Sequence, residues 1–199
     1  YEQVIEADER LLPDGTVVNA LNRLVKNNTG YDIKHLFIGA EGTLGVIARV
    51  ALRLQPKPAA LDVALCALPD YASLLGLLSA LRARFGPGLT SFEAMWDEYL
   101  ETITSTFALR RPFEAAHPFY AIVEISRFGA GEPNRLPDAL GELMEAGLIE
   151  DALIAQTERE AAEFWKIREI VGDLRQTVGP LVSYDIGLPA GVTDRFVET

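Results

Sequence analysis

The chain is poor in the residues that make covalent staples, metal centres and nucleic-acid contacts. It has one cysteine in 199 residues, so no disulfide can close within it. Cys66 sits in the apolar run 63–68 and reads as a buried strand residue. That thiol economy points to a reducing, cytosolic compartment. The two histidines, His35 and His117, have no partner at metal-ligand spacing, which excludes a zinc site built within these residues. His117 precedes Pro118 at the start of a strand pattern and is expected on the surface. Basic residues are also scarce: 18 Lys and Arg against 29 Asp and Glu leave a net charge of -11. A nucleic acid or an anionic membrane needs a basic face, so neither is an expected partner. No apolar stretch approaches the roughly 18 residues of a transmembrane segment. The opening YEQVIEADER has neither the basic segment nor the apolar core of a secretion signal.

What is present is a 49% hydrophobic chain, enough to bury a core in one or two domains. Residues 1–19 read as a hairpin about Pro13-Asp14-Gly15, where Pro presets φ and Gly accepts positive φ. From 45 to 54 the pattern alternates, with Val46, Ala48, Val50, Leu52 and Leu54 on one side. Pro56-Lys57-Pro58 then ends the strand, because proline cannot donate to a ladder, and a domain boundary is placed there (1–55 and 56–199). Beyond it, strands at 62–68, 89–93, 119–126, 148–155 and 181–187 alternate with helices at 71–85, 95–107 and 135–146. Thr157 with Glu160 is a capping-box signature for one long helix to about 178, and Pro189 opens another helix. The expected class is α+β: a ferredoxin-like sheet with helices on one face.

The glycine-rich stretch 26–47, KNNTGYDIKHLFIGAEGTLGVI, is the most specific part of the chain. Gly39, Gly42 and Gly45 recur every three residues, which fits neither the dinucleotide fingerprint nor a P-loop. By spacing alone this is a glycine-rich turn opening a buried strand. In the helix after Thr157, Phe164, Ile167, Val171, Leu174 and Val178 form the expected buried stripe. Trp165, Arg168, Gly172 and Arg175 flank it, while Lys166, Glu169 and Asp173 face solvent. Arg168 therefore lies where core gives way to cleft. It reads either as a rim arginine with its stem on Trp165 or as a planar fork for a carboxylate. Glu93, at the end of a short strand, could face the cleft, but a carboxylate ending a strand is more often solvated, and it is read as structural.

The string from Asn28 to Gly45, N-T-G-Y-D-x-K-x-L-F-I-G-x-E-G-T-L-G, resembles the end of the FAD-binding domain of the FAD-linked oxidases of vanillyl-alcohol-oxidase type. Within them it is most similar to the D-2-hydroxyacid dehydrogenase branch, which includes D-2-hydroxyglutarate and D-lactate dehydrogenases and the glycolate oxidase flavin subunit. The segment Phe164, Trp165, Ile167, Arg168, Glu169 matches a second motif of that branch, and Ser91-Phe92-Glu93 with Met95 a third. The resemblance implies an FAD-binding α+β subdomain at 1–55 followed by part of the cap domain. It implies FAD contacts at Gly39, Glu41, Gly42, Thr43, Gly45, Val46 and Ile47, and a substrate carboxylate on Arg168.

The implied chemistry is oxidation of a D-2-hydroxy acid to a 2-oxo acid, with hydride leaving C2 for the flavin. The implied partners are that small acid, an electron acceptor the sequence does not specify, and a second copy of the chain in a homodimer. Two departures bear on the substrate. Gly172 and Ser183 replace a Thr and a Lys that help hold the substrate in the hydroxyglutarate-type members, which argues against a dicarboxylate, so a lactate-like or bulkier 2-hydroxy acid is expected. The family's pyrophosphate loop and its His and Glu ligands for a divalent metal are not in this sequence, so the chain reads as a fragment, inactive by itself. A sugar-acid or aldonolactone-type flavin oxidase is the alternative enzyme. A cap-like module that binds a carboxylate or a partner chain without chemistry is the alternative from another class.

Overall fold

The computed structural model describes residues 5–21, 24, 29–179, 186–189 and 192–197. The chain divides into two compact units, Tyr1–Lys57 and Pro58–Thr199.

The first unit is a three-stranded antiparallel sheet of β1 (Ile5–Leu11), β2 (Val17–Asn19) and β3 (Val46–Leu52), in the order β2-β1-β3. The hairpin forms as Pro-Asp-Gly predicts. The Asp14 carboxylate accepts the Thr16 N–H at 2.9 Å, and Gly15 takes φ 84°. Central β1 buries charge on both faces. On one, Glu9 accepts from Arg49 Nε at 2.7 Å and from Asn19 Nδ2 at 2.9 Å. Those residues are its register partners on β3 and β2, so one carboxylate ties three strands in a single row. On the other face Asp8 and Arg10 pair with each other, both under 2% exposed. The alternation expected in β3 is present, but Val46, Val50 and Leu52 are exposed.

The second unit starts with β4 (Ala60–Leu68), α1 (Tyr71–Phe85), β5 (Leu89–Trp96) and α2 (Asp97–Thr106). It continues with β6 (Phe119–Arg127), α3 (Leu136–Glu145) and β7 (Asp151–Ile154), then α4 (Glu158–Glu169), α5 (Val171–Val178) and α6 (Thr193–Val197). The sheet order is β5-β6-β4-β7 with every pair antiparallel. With α2 treated as an insertion, this is the β-α-β-β-α-β order of a ferredoxin-like sheet. Asp70 caps α1 by accepting the Ser73 N–H at 2.7 Å, and Thr157 and Glu160 form the expected capping box on α4.

The α+β, ferredoxin-like class expected from the sequence is therefore present, with one difference: helices cover both faces. Ala64, Cys66 and Leu68 of β4 pack with α1 and α3 through Leu77, Leu81 and Leu140. Val63, Leu65 and Ala67 of the same strand pack with α2 and α4 through Leu100, Ile103 and Ile167. The unbroken apolar run 63–68 is the signature of a strand buried on two sides, and a one-sided layer would leave half of it in water.

Two further expectations change, and a third lies mostly outside the described residues. The helix after Thr157 is two helices, bent at Ile170. The bend turns Val171 out to solvent and lets Ile170 pack on the core instead. His117 is only 12% exposed, held between Phe113 and Tyr120 with its Nδ1 on Glu150. Its neighbour Tyr120 is a core residue, and that draws the ring inward. Most of the expected strand at 181–187 lies outside the described residues, and Ile186 and Gly187 are not in a strand.

Cys66 is fully buried on β4, and burial pushes its thiol up to about 12. At pH 8 the native protein is expected to leave a colorimetric disulfide reagent unreacted and to release one equivalent of product only on unfolding in denaturant. Rapid native reaction would contradict the two-layer packing around β4.

Candidate functional site

In the first unit, the loop before β3 folds back on β1. The Arg10 guanidinium stacks 4.7 Å from the centre of the Phe37 ring. Gly45 sits against the same ring: a β-carbon there would lie 2.7 Å from the Leu11 carbonyl oxygen and 3.1 Å from Phe37. The chain's own packing thus requires glycine at 45. Gly39 and Gly42 differ. They take φ 84° and 80°, and a β-carbon on either would meet nothing within 4 Å. Between them Glu41 also has positive φ, at 49°, and Thr43 Oγ1 donates to the Ala40 carbonyl at 2.6 Å. The 39–43 segment is an exposed, left-handed backbone turn with no side chain over its glycines, so a planar ligand can approach its peptide groups closely. Val46 follows exposed and Ile47 half-buried, at the start of β3. Beneath the loop, Asp8 takes Nε and Nη2 of Arg10, and Arg10 Nη1 has no partner among the described residues.

In the second unit, Arg168 occupies the last turn of α4, where a cation is favoured by the helix dipole. Its Nε donates to Glu93 Oε2 at 2.9 Å. Glu93 lies two residues before Met95 on β5, hence on the face covered by α2 and α4. Tyr99, on α2, donates its hydroxyl to the carbonyl oxygens of Ile167 at 2.9 Å and Arg168 at 3.1 Å. Those carbonyls would otherwise accept the N–H groups of residues 171 and 172. Their capture by a side chain explains why the helix breaks at Ile170. The hydrogen bond to Glu93 raises the Arg168 pKa above the ordinary arginine value, and burial raises the Tyr99 phenol, opposed by the charge of Arg168.

Arg168 and Glu93 are each about two-fifths exposed, so the pair borders solvent. Nothing is within 4 Å of a β-carbon placed on Gly172, one turn further along. A trough of about 550 Å³ runs along α4 past Leu109, Arg110, Phe164 and Lys166, and Arg168 does not line it. Among the described residues no three His, Cys, Asp or Glu side chains are grouped to hold a metal ion, and no helix is long and apolar enough to cross a membrane.

The sequence singled out Arg168, weighed Glu93 only to read it as structural, and did not point to Tyr99. Tyr99 carries no local signal, because its role depends on α2 meeting α4. Glu93 was readable: a strand continued three residues to Trp96 places it mid-strand, on the same face as Met95.

Solved structures share this fold. p-Cresol methylhydroxylase with substrate bound superposes with a TM-score of 0.57 at 13% identity, over 79% of this chain and 36% of that one. 4-Ethylphenol oxidase from Gulosibacter chungangensis gives 0.56 at 14%, over 86% and 38%. Residues 57–198 match the family described as FAD linked oxidases, C-terminal domain, and the chain belongs to that family.

Curated relatives include a mitochondrial D-2-hydroxyglutarate dehydrogenase of Bos taurus, 37% identical over 91% of this chain and 33% of its own length. A putative mitochondrial D-lactate dehydrogenase of Schizosaccharomyces pombe is 36% identical over 92% and 35%. A D-2-hydroxyglutarate dehydrogenase of Xanthomonas citri pv. viticola is 36% identical over 78% and 32%. The chain spans about one third of the length of these relatives.

Tyr99→Phe removes two carbonyl acceptor contacts at the bend. It is expected to destabilise the second unit by about 1 kcal/mol in urea unfolding and to speed amide exchange in α4 and α5 more than in the sheet. An unchanged stability and exchange pattern would show that the bend does not depend on the phenol.

Proposed function

We propose that this chain is part of an FAD-dependent dehydrogenase that oxidises a D-2-hydroxy acid to the 2-oxo acid, with Arg168 binding the substrate carboxylate. In this reading residues 1–55 complete an FAD-binding domain and residues 56–199 begin the cap over the substrate. The observation that carries it is the fork of Arg168, a guanidinium at a solvent border whose Nε is held by Glu93, in a chain of the FAD-linked oxidase family. The names of the curated relatives favour a hydroxy acid over a sugar acid or lactone, and an enzyme over a binding module.

The exposed turn Gly39, Glu41, Gly42, Thr43 fits a flavin: its peptide groups are open to a planar ligand, and the two glycines leave no β-carbon in the way. Gly45, Val46 and Ile47 would support that turn from the start of β3. FAD, when bound, supplies the electron sink. The task of this chain is orientation. A carboxylate paired with Arg168 loses its rotational freedom, so that C2 of the acid is presented in a fixed direction. A divalent metal enters the reading only through segments beyond these residues, and the same holds for the electron acceptor. A homodimer is part of the same expectation. The single buried thiol fits a reducing compartment, compatible with the mitochondrial names of the cattle and yeast relatives as well as with the cytosol.

Among hydroxy acids we favour one with a single carboxylate. Gly172 offers no side chain where the hydroxyglutarate-type pattern has Thr, and Ser183, outside the described residues, stands where that pattern has Lys. In the full-length flavoprotein, Arg168→Ala is expected to raise KM for the acid on the order of 100-fold while FAD content is unchanged. An unchanged KM would remove Arg168 from the site. Since Gly172 has room for a side chain, Gly172→Thr is expected to raise kcat/KM for D-2-hydroxyglutarate relative to D-lactate. An unaltered ratio would show that position 172 does not read the substrate.

A further inference from the structure

We infer that Glu93 is the positioning residue of the carboxylate site: it holds the Arg168 guanidinium by its Nε edge and so directs the Nη1 and Nη2 edge to the substrate. This rests on the reading of Arg168 above. An arginine side chain has four rotatable bonds and, at a solvent border, samples many directions, so an unheld fork binds with an entropic cost. Here the tip of the side chain is held by one carboxylate, on a backbone that is itself fixed. The backbone of Arg168 is fixed in the last turn of α4, and the carbonyl of the same residue is held by the Tyr99 hydroxyl at 3.1 Å. The Nε end is held by Glu93 at 2.9 Å.

The anchors themselves are rigid. Glu93 sits inside β5 in register with Ile122 of β6, two residues before core residue Met95. Tyr99 lies one residue before Leu100, which is fully buried. One oxygen of one carboxylate on Nε leaves the end-on edge, with its two parallel N–H groups, directed away from Glu93. That edge matches the two oxygens of an incoming carboxylate. Glu93 makes no contact with substrate in this arrangement and acts through Arg168.

The test uses the full-length flavoprotein with D-lactate as substrate and oxalate as a binding probe read by calorimetry. Glu93→Ala is expected to raise KM for D-lactate and the dissociation constant of oxalate about tenfold, with kcat, FAD content and thermal midpoint little changed. Glu93→Gln keeps an acceptor oxygen at the same reach and is expected to restore most of the loss. Arg168→Ala in parallel separates the two claims. If it impairs binding while Glu93→Ala does not, the positioning role is overturned and the arginine reading stands. If neither variant affects binding, the arginine reading falls and takes Glu93 with it. A Glu93→Ala loss that Gln does not rescue, accompanied by a falling thermal midpoint, overturns positioning in favour of a general packing role.

Discussion

Burial of β4 on both faces is the constraint on which the second unit depends. Six consecutive apolar residues, 63–68, leave no polar side to offer water, and each is at most 2% exposed. A single helical layer satisfies only Ala64, Cys66 and Leu68. The alternate set, Val63, Leu65 and Ala67, demands a second layer, which α2 and α4 provide. Because both pack on the same face, Tyr99 of α2 comes within reach of the last carbonyls of α4, and Glu93 of β5 within reach of Arg168. The candidate site is a consequence of that second layer rather than an addition to it.

The first unit follows a different logic. Its central strand is held by charge: Glu9 joins Arg49 and Asn19 across three strands, and Asp8 and Arg10 pair on the opposite face. Only Glu9 bears on the register, through its partners on both neighbouring strands, and Arg49 is 65% exposed. The buried Asp8 and Arg10 pair lies within β1, where loss of either partner would leave the other charge uncompensated. The glycine loop divides in function along its length. Gly45 is required by contact with Leu11 and Phe37, whereas Gly39 and Gly42 leave backbone open to the outside. A string that reads as one motif thus serves internal packing at one end and leaves its backbone uncovered at the other.

Much of the fold was legible because local signals agreed with it. The Pro-Asp-Gly turn, the capping box at Thr157 and Glu160 and the helix Tyr71–Phe85 all fall where the sequence predicts. Two of the misses share one cause, which is dependence on tertiary contact. The apolar stripe across Ile170 continues through the bend in sequence, so only the Tyr99 hydroxyl in place reveals that the helix breaks. His117 looked like a surface residue beside a proline, and the aromatic ring of Tyr120 draws it in. For the site, Arg168 was visible at the edge of a stripe, but its partner was hidden by ending β5 at Glu93 instead of Trp96.

The measurement that bears most directly on this account is a crystal structure of the full-length flavoprotein with D-lactate bound. The prediction is a carboxylate paired end-on with Nη1 and Nη2 of Arg168, while Nε remains on Glu93 and the α4–α5 bend remains on Tyr99. A substrate carboxylate held by other residues, with Arg168 turned to solvent, would contradict it.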